Sequence, residues 1–325
     1  MKHAAAIGFL GVICMGMQAR GATPIPRGLD CLPSWEDPDG ERTLVLGNVG
    51  GALALCAVDT FAGPVACWAL DAASGKLTAR APKPFPGVGI PIRDDRCYEG
   101  LCWPAPPGGE PDAPGVAYLA YHPDGKRAAV RVGETVLIFD VAEKKPTRTF
   151  KLRDGESVGP KEITNAPGPI WFLGETVFVL GYDAGPAAAV FAYSARGKAL
   201  GAVDWGVFNG AVAALDEAQL GVNSVGLSEL VIAAGKTGKV VKRVRRAVAK
   251  GPCRVKDQPE WSAEAMGDEN SACFKYLAEV FGGWAGVQIV RHGEGFVGLA
   301  IERGEIVTLD ARLREKGRVA LVRCR

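Results

Sequence analysis

Apolar positions in this chain fall in short alternating runs, each closed by a polar turn and answered by a second short run. Five units of this kind stand out: residues 66–76, 136–144, 190–198, 230–239 and 306–316. The run Val136-Leu-Ile-Phe-Asp140 and the run Val190-Phe-Ala-Tyr-Ser194 are typical, rich in the branched and aromatic side chains that suit a pleated, half-buried surface. One such unit cannot bury its apolar face alone, so the repetition predicts stacked or radially arranged sheets.

The residue that follows each strong strand gives the spacing. These anchors are Asp71, Asp140, Ser194, Ala234 and Asp310, separated by 69, 54, 40 and 76 residues. Four-stranded propeller blades recur every ~40–45 residues, so each of the two longest steps has room for one further blade. The spacing therefore predicts an all-β propeller of seven four-stranded blades, five of them visible. The segment after Lys250 reads poorly as strands. Within it Phe274, Leu277, Ala278 and Phe281 fall at helical spacing before Gly282, predicting a short helical insertion near residues 270–281.

The clearest blade runs from Val116 to Leu152. Val116–Tyr121 is its first strand, and His122-Pro-Asp-Gly125 is a turn in which Pro123 presets φ and Gly125 accepts a positive one. Lys126–Val132, Thr135–Phe139 and Thr147–Leu152 complete it. Here the sequence resembles the WD40-like and YVTN-like β-propeller repeats, whose blades carry a Pro-Asp-Gly turn and then a strand ending in an aromatic or apolar residue and Asp. Pro123, Asp124, Gly125, Phe139 and Asp140 match that order. The resemblance implies architecture and is silent on activity, because propellers host both enzymes and scaffolds.

Composition fits a folded single domain of many short strands: 48% apolar and 23% charged residues, with 43 glycines and 22 prolines at the turns. The net charge of +2 is far too small for a nucleic-acid-binding face. Residues 1–21 read as a secretory signal: Lys2 and His3 precede the uncharged stretch Ala4–Met17, with Ala19 and Gly21 offering cleavage sites. That stretch would reach only ~21 Å as a helix against the ~30 Å of a bilayer core. Ile13 before Cys14 does not fit a lipoprotein box, and no later apolar run is long enough to span a membrane. The expected mature domain is 22–325, exported to a periplasmic or extracellular space.

Eight cysteines remain after the leader: Cys31, Cys56, Cys67, Cys97, Cys102, Cys253, Cys273 and Cys324. An even number in an exported chain predicts disulfides. Cys56 and Cys67 flank the turn at residues 59–64 symmetrically, so in a hairpin they face each other. Cys97 and Cys102 bracket a short loop, Cys253 and Cys273 bound the irregular insertion, and Cys31 with Cys324 would lock the two ends of the ring. Zinc is the rival reading of Cys97 and Cys102, but no second Cys or His pair answers them.

Catalytic signatures are weak. Gly235-Lys-Thr237 lacks the earlier glycine and the helix of a phosphate loop and reads as a turn. Ser224 has Val222 where a nucleophile elbow needs glycine. Asp37–Glu41 lacks the remaining ligand spacing of a calcium loop. Asp71, Asp140 and Asp310 hold equivalent places in their repeats, which predicts a shared structural role in the turn. His122 is expected in a solvated turn, and most of the seven tryptophans are expected in packing. The segment from Lys239 to Lys250 carries six cations (Lys239, Lys242, Arg243, Arg245, Arg246 and Lys250) and no acid. It reads as a solvated outer strand protected by charge, or as a patch for an anionic partner. The sequence as a whole predicts an exported, disulfide-stapled, monomeric propeller without cofactor, binding a protein or envelope component. The alternative is a metal-dependent hydrolase or lactonase-like enzyme with its site in the central channel.

Overall fold

The computed structural model describes residues 42–59, 63–80, 87–93, 96–104, 116–152, 168–182, 188–205, 212–224, 229–246, 287–300 and 303–321. The predicted leader, Cys31, Lys250, Cys253, Cys273, Cys324 and the helix expected near 270–281 lie outside these residues. Blade 1 is the antiparallel meander β1 (Arg42–Val49), β2 (Ala52–Asp59), β3 (Gly63–Leu70) and β4 (Leu77–Arg80). Then come β5 (Gly89–Arg93) and a small hairpin, β6 (Cys97–Tyr98) and β7 (Leu101–Cys102). Blade 2 is β8 (Val116–Tyr121), β9 (Arg127–Val132), β10 (Thr135–Asp140) and β11 (Lys145–Lys151). Blade 3 is β12 (Ile170–Leu173), β13 (Thr176–Tyr182), β14 (Ala188–Ser194) and β15 (Ala199–Trp205). Blade 4 is β16 (Val212–Asp216), β17 (Gln219–Ser224), β18 (Glu229–Ala234) and β19 (Val240–Arg245). Blade 5 is β20 (Gln288–His292), β21 (Gly295–Ala300), β22 (Glu305–Leu309) and β23 (Glu315–Ala320).

The propeller is present, and the described residues form five blades, without the further two expected. Neighbouring sheets touch in turn through β3 with β5, β8 with β12, β12 with β17, β16 with β20 and β20 with β1, so the ring is already closed. The first long step has room for another blade. Part of its length instead forms β5, which pairs with β8 and makes blade 2 a five-stranded sheet, and the β6–β7 hairpin. The second long step includes residues 247–286, outside the described set.

Packing follows from the period-two alternation of the strands. In β18, Leu230 and Ile232 point toward blade 5 and join Ile289, Phe296 and Val307, whereas Val231 and Ala233 point the other way. Val136 and Ile138 of blade 2 meet Phe172, Val177, Val179 and Tyr193 of blade 3. Leu44, Leu46 and Leu55 of blade 1 meet Val290, Val297 and Ile306 of blade 5. Each buried aliphatic or aromatic side chain contributes about 1.5–3 kcal/mol, so the sandwiched blade faces supply most of the stability. Trp68, Trp103 and Trp171 are buried in these layers, as expected of packing residues.

At the seam between blades 5 and 1, the Gln288 side chain imitates a strand. Its Oε1 accepts from the Leu46 N–H at 2.8 Å and its Nε2 donates to the Leu44 carbonyl at 2.7 Å. Gln288→Ala strands both backbone groups and is expected to cost about 2 kcal/mol in urea unfolding. A loss below about 0.5 kcal/mol would show that the seam does not depend on this amide.

Candidate functional site

The first strand of each blade faces the ring axis, where β1 meets both β16 and β20. Strand β5 adds to that inner edge of β8. Its Ile90 and Ile92 are buried, as are Leu101 and Trp103 of the adjoining hairpin segment, in one cluster with Trp171 of β12. Val45 and Val49 of β1 and Val212 of β16 pack against the same cluster. The segment of β5 thus lies between β8, with which it pairs, and β12, which it meets through the bridge of Val88 with Trp171. The hairpin is closed by Cys97–Cys102, which face each other at a Cα distance of 4.1 Å, and is held to blade 2 by Tyr121 Oη donating to Glu99 at 2.8 Å. Burial, then the bond to Glu99, pushes the Tyr121 phenol well above its usual range. Cys56 and Cys67 are bonded across β2 and β3, also at a Cα distance of 4.1 Å, somewhat closer than the ~4.5–5.5 Å of an ordinary cross-strand pair.

One face of the ring carries the turns between first and second and between third and fourth strands. The three repeated aspartates fold the latter. Asp71 accepts from Ala73 N–H, Asp140 from Ala142 and Glu143 N–H, and Asp310 from Arg312 and Arg314 N–H. These are Asx turns, the structural role their equivalence implied. The same face is tied from blade to blade. Arg291 of blade 5 donates to Asp216 and Gln219 of blade 4, Asn48 of blade 1 donates to the Arg291 carbonyl, and Glu175 N–H of blade 3 donates to the Gly235 carbonyl of blade 4. Gly174 takes φ +55°, and a β-carbon there would run into the Gly235 backbone, a place with no room for a side chain.

His122 belongs to this belt, which corrects its expected solvated role. It is 8% exposed, stands edge-on to Phe172 and has its Nε2 2.8 Å from the Gly174 carbonyl of blade 3. Arg127 completes the joint: it lies over Phe172 and donates to Asp124 at 3.0 Å and to Glu175 at 3.2 Å. Burial opposes ionisation of Asp124, but the Lys126 N–H, His122 and Arg127 outweigh it and hold its pKa down to about 2. The Asp310 carboxyl is held at about 2 as well, chiefly by the Arg314 N–H. A carboxylate lowered on folding stabilises the native state above its unfolded value near 4, and that stabilisation disappears as pH falls through the folded value. The melting temperature is therefore expected to drop steeply between about pH 4 and pH 2, and less steeply in Asp124→Asn. Equal slopes for both proteins would remove Asp124 from the account.

The outer strands form the rim, and here lies the predicted patch. Lys239, Lys242, Arg243 and Arg245 are exposed along the edge of blade 4. Glu229 of β18 holds Arg243 at 2.7 Å and Arg245 at 3.2 Å, leaving that trio with one net positive charge. Arg246 turns toward blade 5, where burial, together with Arg318, lowers its pKa against the pull of Glu315. Arg318 is bonded to Glu305 at 2.9 Å and Glu315 at 2.8 Å. Lys239 and Lys242 make no ion pair with another described residue, nor do Lys145, Arg148 and Lys151 on the outer strand of blade 2. Among the described residues the structure thus splits the patch into arginines engaged by acids and the lysines Lys239 and Lys242, which are not. Two shallow depressions lie on the turn face, one of about 490 Å³ bordered by His292, Glu294 and Arg312, the other of about 450 Å³ bordered by Asn48, Asp216 and Glu217. Among the described residues no group of three His, Cys, Asp or Glu side chains is arranged to hold a metal ion, and no helix is long and apolar enough to cross a membrane.

No protein-family model matches this chain, and no curated protein matches it at a significant level. Solved structures do resemble it. A chain of a nidogen/laminin complex is 10% identical, with 86% of this chain and 81% of that one covered and a TM-score of 0.35. Dihydro-heme d1 dehydrogenase NirN in complex with DHE is 16% identical over 86% of this chain and 55% of that one, TM-score 0.32. The β-propeller domain of Cps50 (Swd1) from Myceliophteria thermophila is 10% identical over 86% and 71%, TM-score 0.31. Likenesses this distant carry no argument about activity. The architecture rests on the five sheets themselves, which meet the expectation drawn from the WD40-like and YVTN-like repeats.

Sequence reasoning placed the rim strand, the aspartate turns and two disulfides. It missed β5, although Val88, Ile90 and Ile92 alternate with period two, the signal of a half-buried strand. It also missed Arg131 and Gln288, single polar residues within otherwise ordinary strands, whose partners lie in other blades.

Proposed function

We propose that this protein is an exported, disulfide-stapled β-propeller that acts as a binding or scaffold protein, engaging an anionic partner through its basic rim. The observation that carries this reading is the charge of the outer rim. There the outer strands of blades 2 and 4 present Lys145, Arg148, Lys151, Lys239 and Lys242 in a chain whose net charge is only +2. Concentrated charge of one sign raises the encounter rate and selects partners of the other. The two disulfides support export, because such bonds persist in oxidising compartments.

The test has two arms. The full chain expressed with its own first 21 residues is expected in the periplasmic fraction of a bacterial host, shortened by the leader and with no reactive thiol. Retention in the cytoplasm at full length would overturn the export reading. Purified protein is expected to bind polyglutamate at low salt, with affinity falling as salt rises, and Lys239→Glu/Lys242→Glu is expected to weaken that binding at least fivefold. Unchanged binding in the double variant would remove this rim as the contact surface.

A further inference from the structure

Three large apolar side chains reach substantial exposure among the described residues: Leu200, Val240 and Val241, the last at 55%. All three lie on the outer strands of the adjoining blades 3 and 4. Leu200 packs against Gly238, where its Cδ1 occupies the place a side chain at 238 would take, two residues before Val240. Backbone geometry explains the exposure of Leu200 and Val241. Val241 is the unopposed residue of a bulge, since Val240 pairs with Ala233 and Lys242 with Ile232. Leu200 is the unopposed residue of a bulge in β15, between Ala199 opposite Tyr193 and Gly201 opposite Ala192. A bulge turns its extra side chain out of the sheet's regular alternation, and edge bulges commonly serve to blunt pairing. A bulge that serves only to blunt pairing does not need an apolar side chain at its tip, and here both tips carry one.

The surroundings are cationic. Lys198 precedes Leu200 on the turn into β15, and Lys239 and Lys242 flank the two valines; none of the three makes an ion pair with another described residue. Glu229 of this rim is already engaged by Arg243 and Arg245, and Glu175 by Arg127. An apolar centre flanked by like charges has the anatomy of a protein interface. A purely anionic polymer or headgroup layer would leave the apolar centre without a counterpart, and a second copy of the chain would bring lysine against lysine.

Resting on the binding reading above, we infer that Leu200, Val240 and Val241 form the apolar centre of a docking surface for an acidic protein segment that carries a bulky apolar anchor. The lysines steer and orient the segment, and the anchor covers the two bulges.

The experiment is a selection of displayed random twelve-residue peptides on the intact oxidised protein, followed by anisotropy titration of the enriched peptides. Enriched sequences are expected to be net acidic around one or two bulky apolar residues. They are expected to bind Leu200→Ser/Val241→Ser at least tenfold more weakly, and Lys239→Glu/Lys242→Glu more weakly still at low salt. Both variants change exposed side chains and are expected to keep the parent's circular dichroism and melting temperature. Peptides that bind the Leu200→Ser/Val241→Ser variant as well as the parent would overturn the inference, as would anchor-to-Ser peptides that bind undiminished. If heparin or polyglutamate still binds in a Lys239- and Lys242-dependent way while that happens, the anionic-partner reading stands and the protein-segment inference alone falls. Failure of peptides and polyanions alike overturns both.

Discussion

Arg131→Met is expected to lower the unfolding free energy by about 3 kcal/mol or more. Arg131 in β9 is 1% exposed and spends its guanidinium on carbonyls: Gly133 of its own turn at 3.0 Å, and Gly168 at 3.0 Å and Leu180 at 2.6 Å in blade 3. Each abandoned buried acceptor costs about 1–3 kcal/mol, and bonds from a charged donor lie at the upper end. Methionine fills much of the volume but supplies no donor, so the loss falls on the hydrogen bonds. Arg131→Lys is expected to recover less than half of it, because a single ammonium cannot reach donors into three separated carbonyls as a planar fork does. Chemical denaturation of the three proteins checks this, and a loss below about 1 kcal/mol in the Met variant would show that the blades do not depend on the joint. The position also explains why Gly168 is glycine, since a side chain there would run into the Leu180 carbonyl and the guanidinium.

Cys56→Ser/Cys67→Ser is expected to destabilise the oxidised protein by about 3 kcal/mol, from the loop entropy restored to the unfolded chain across 11 residues. The same model gives about 2 kcal/mol for Cys97→Ser/Cys102→Ser across 5 residues. The difference has a structural consequence beyond its size. Cys56 and Cys67 are buried at the face of blade 1 that meets Ile90 and Ile92, so serine hydroxyls there are also poorly solvated. The hairpin cysteines are exposed, and their loss should loosen the hairpin while leaving the blades intact. Thermal melts with and without reductant separate the cases: reduction is expected to lower the parent's melting temperature toward that of the Cys56→Ser/Cys67→Ser variant. Coincident melts of parent and variant under oxidising conditions would sink the prediction.

The elements of the second blade were legible almost residue by residue. Thr135–Asp140 alternates, its neighbours are set off by Pro123, Gly125 and Gly133, and the observed strands differ from the expected ones by no more than two residues at either end. The aspartate turns were legible for the same reason: a side chain that bonds backbone two to four residues away needs nothing from elsewhere in the fold. The blade number was not. It follows from where β1 and β20 meet, and a long step between anchors reads the same whether it holds a blade, an added strand such as β5, or a connection.

The candidate site divides along the same line. The run of cations on β19 is written in the sequence, as are the valines beside them. Which of those cations is neutralised depends on Glu229, Glu305 and Glu315, brought alongside by pairing within blade 4 and by the packing of blade 5 on it. What the sequence by itself determined here is local: period-two strands, turn chemistry, and cysteines symmetric about a hairpin, all decided by bonds between residues close along the chain. What the tertiary structure decided is everything that depends on distant segments meeting. A five-blade closure sealed by Gln288, β5 added to the edge of β8, His122 and Arg131 drawn into the joint between blades 2 and 3, and Leu200 brought to Gly238 beside Val240 all arise because burying the blade faces selects one mutual arrangement. Pairwise spacing along the chain does not encode that choice.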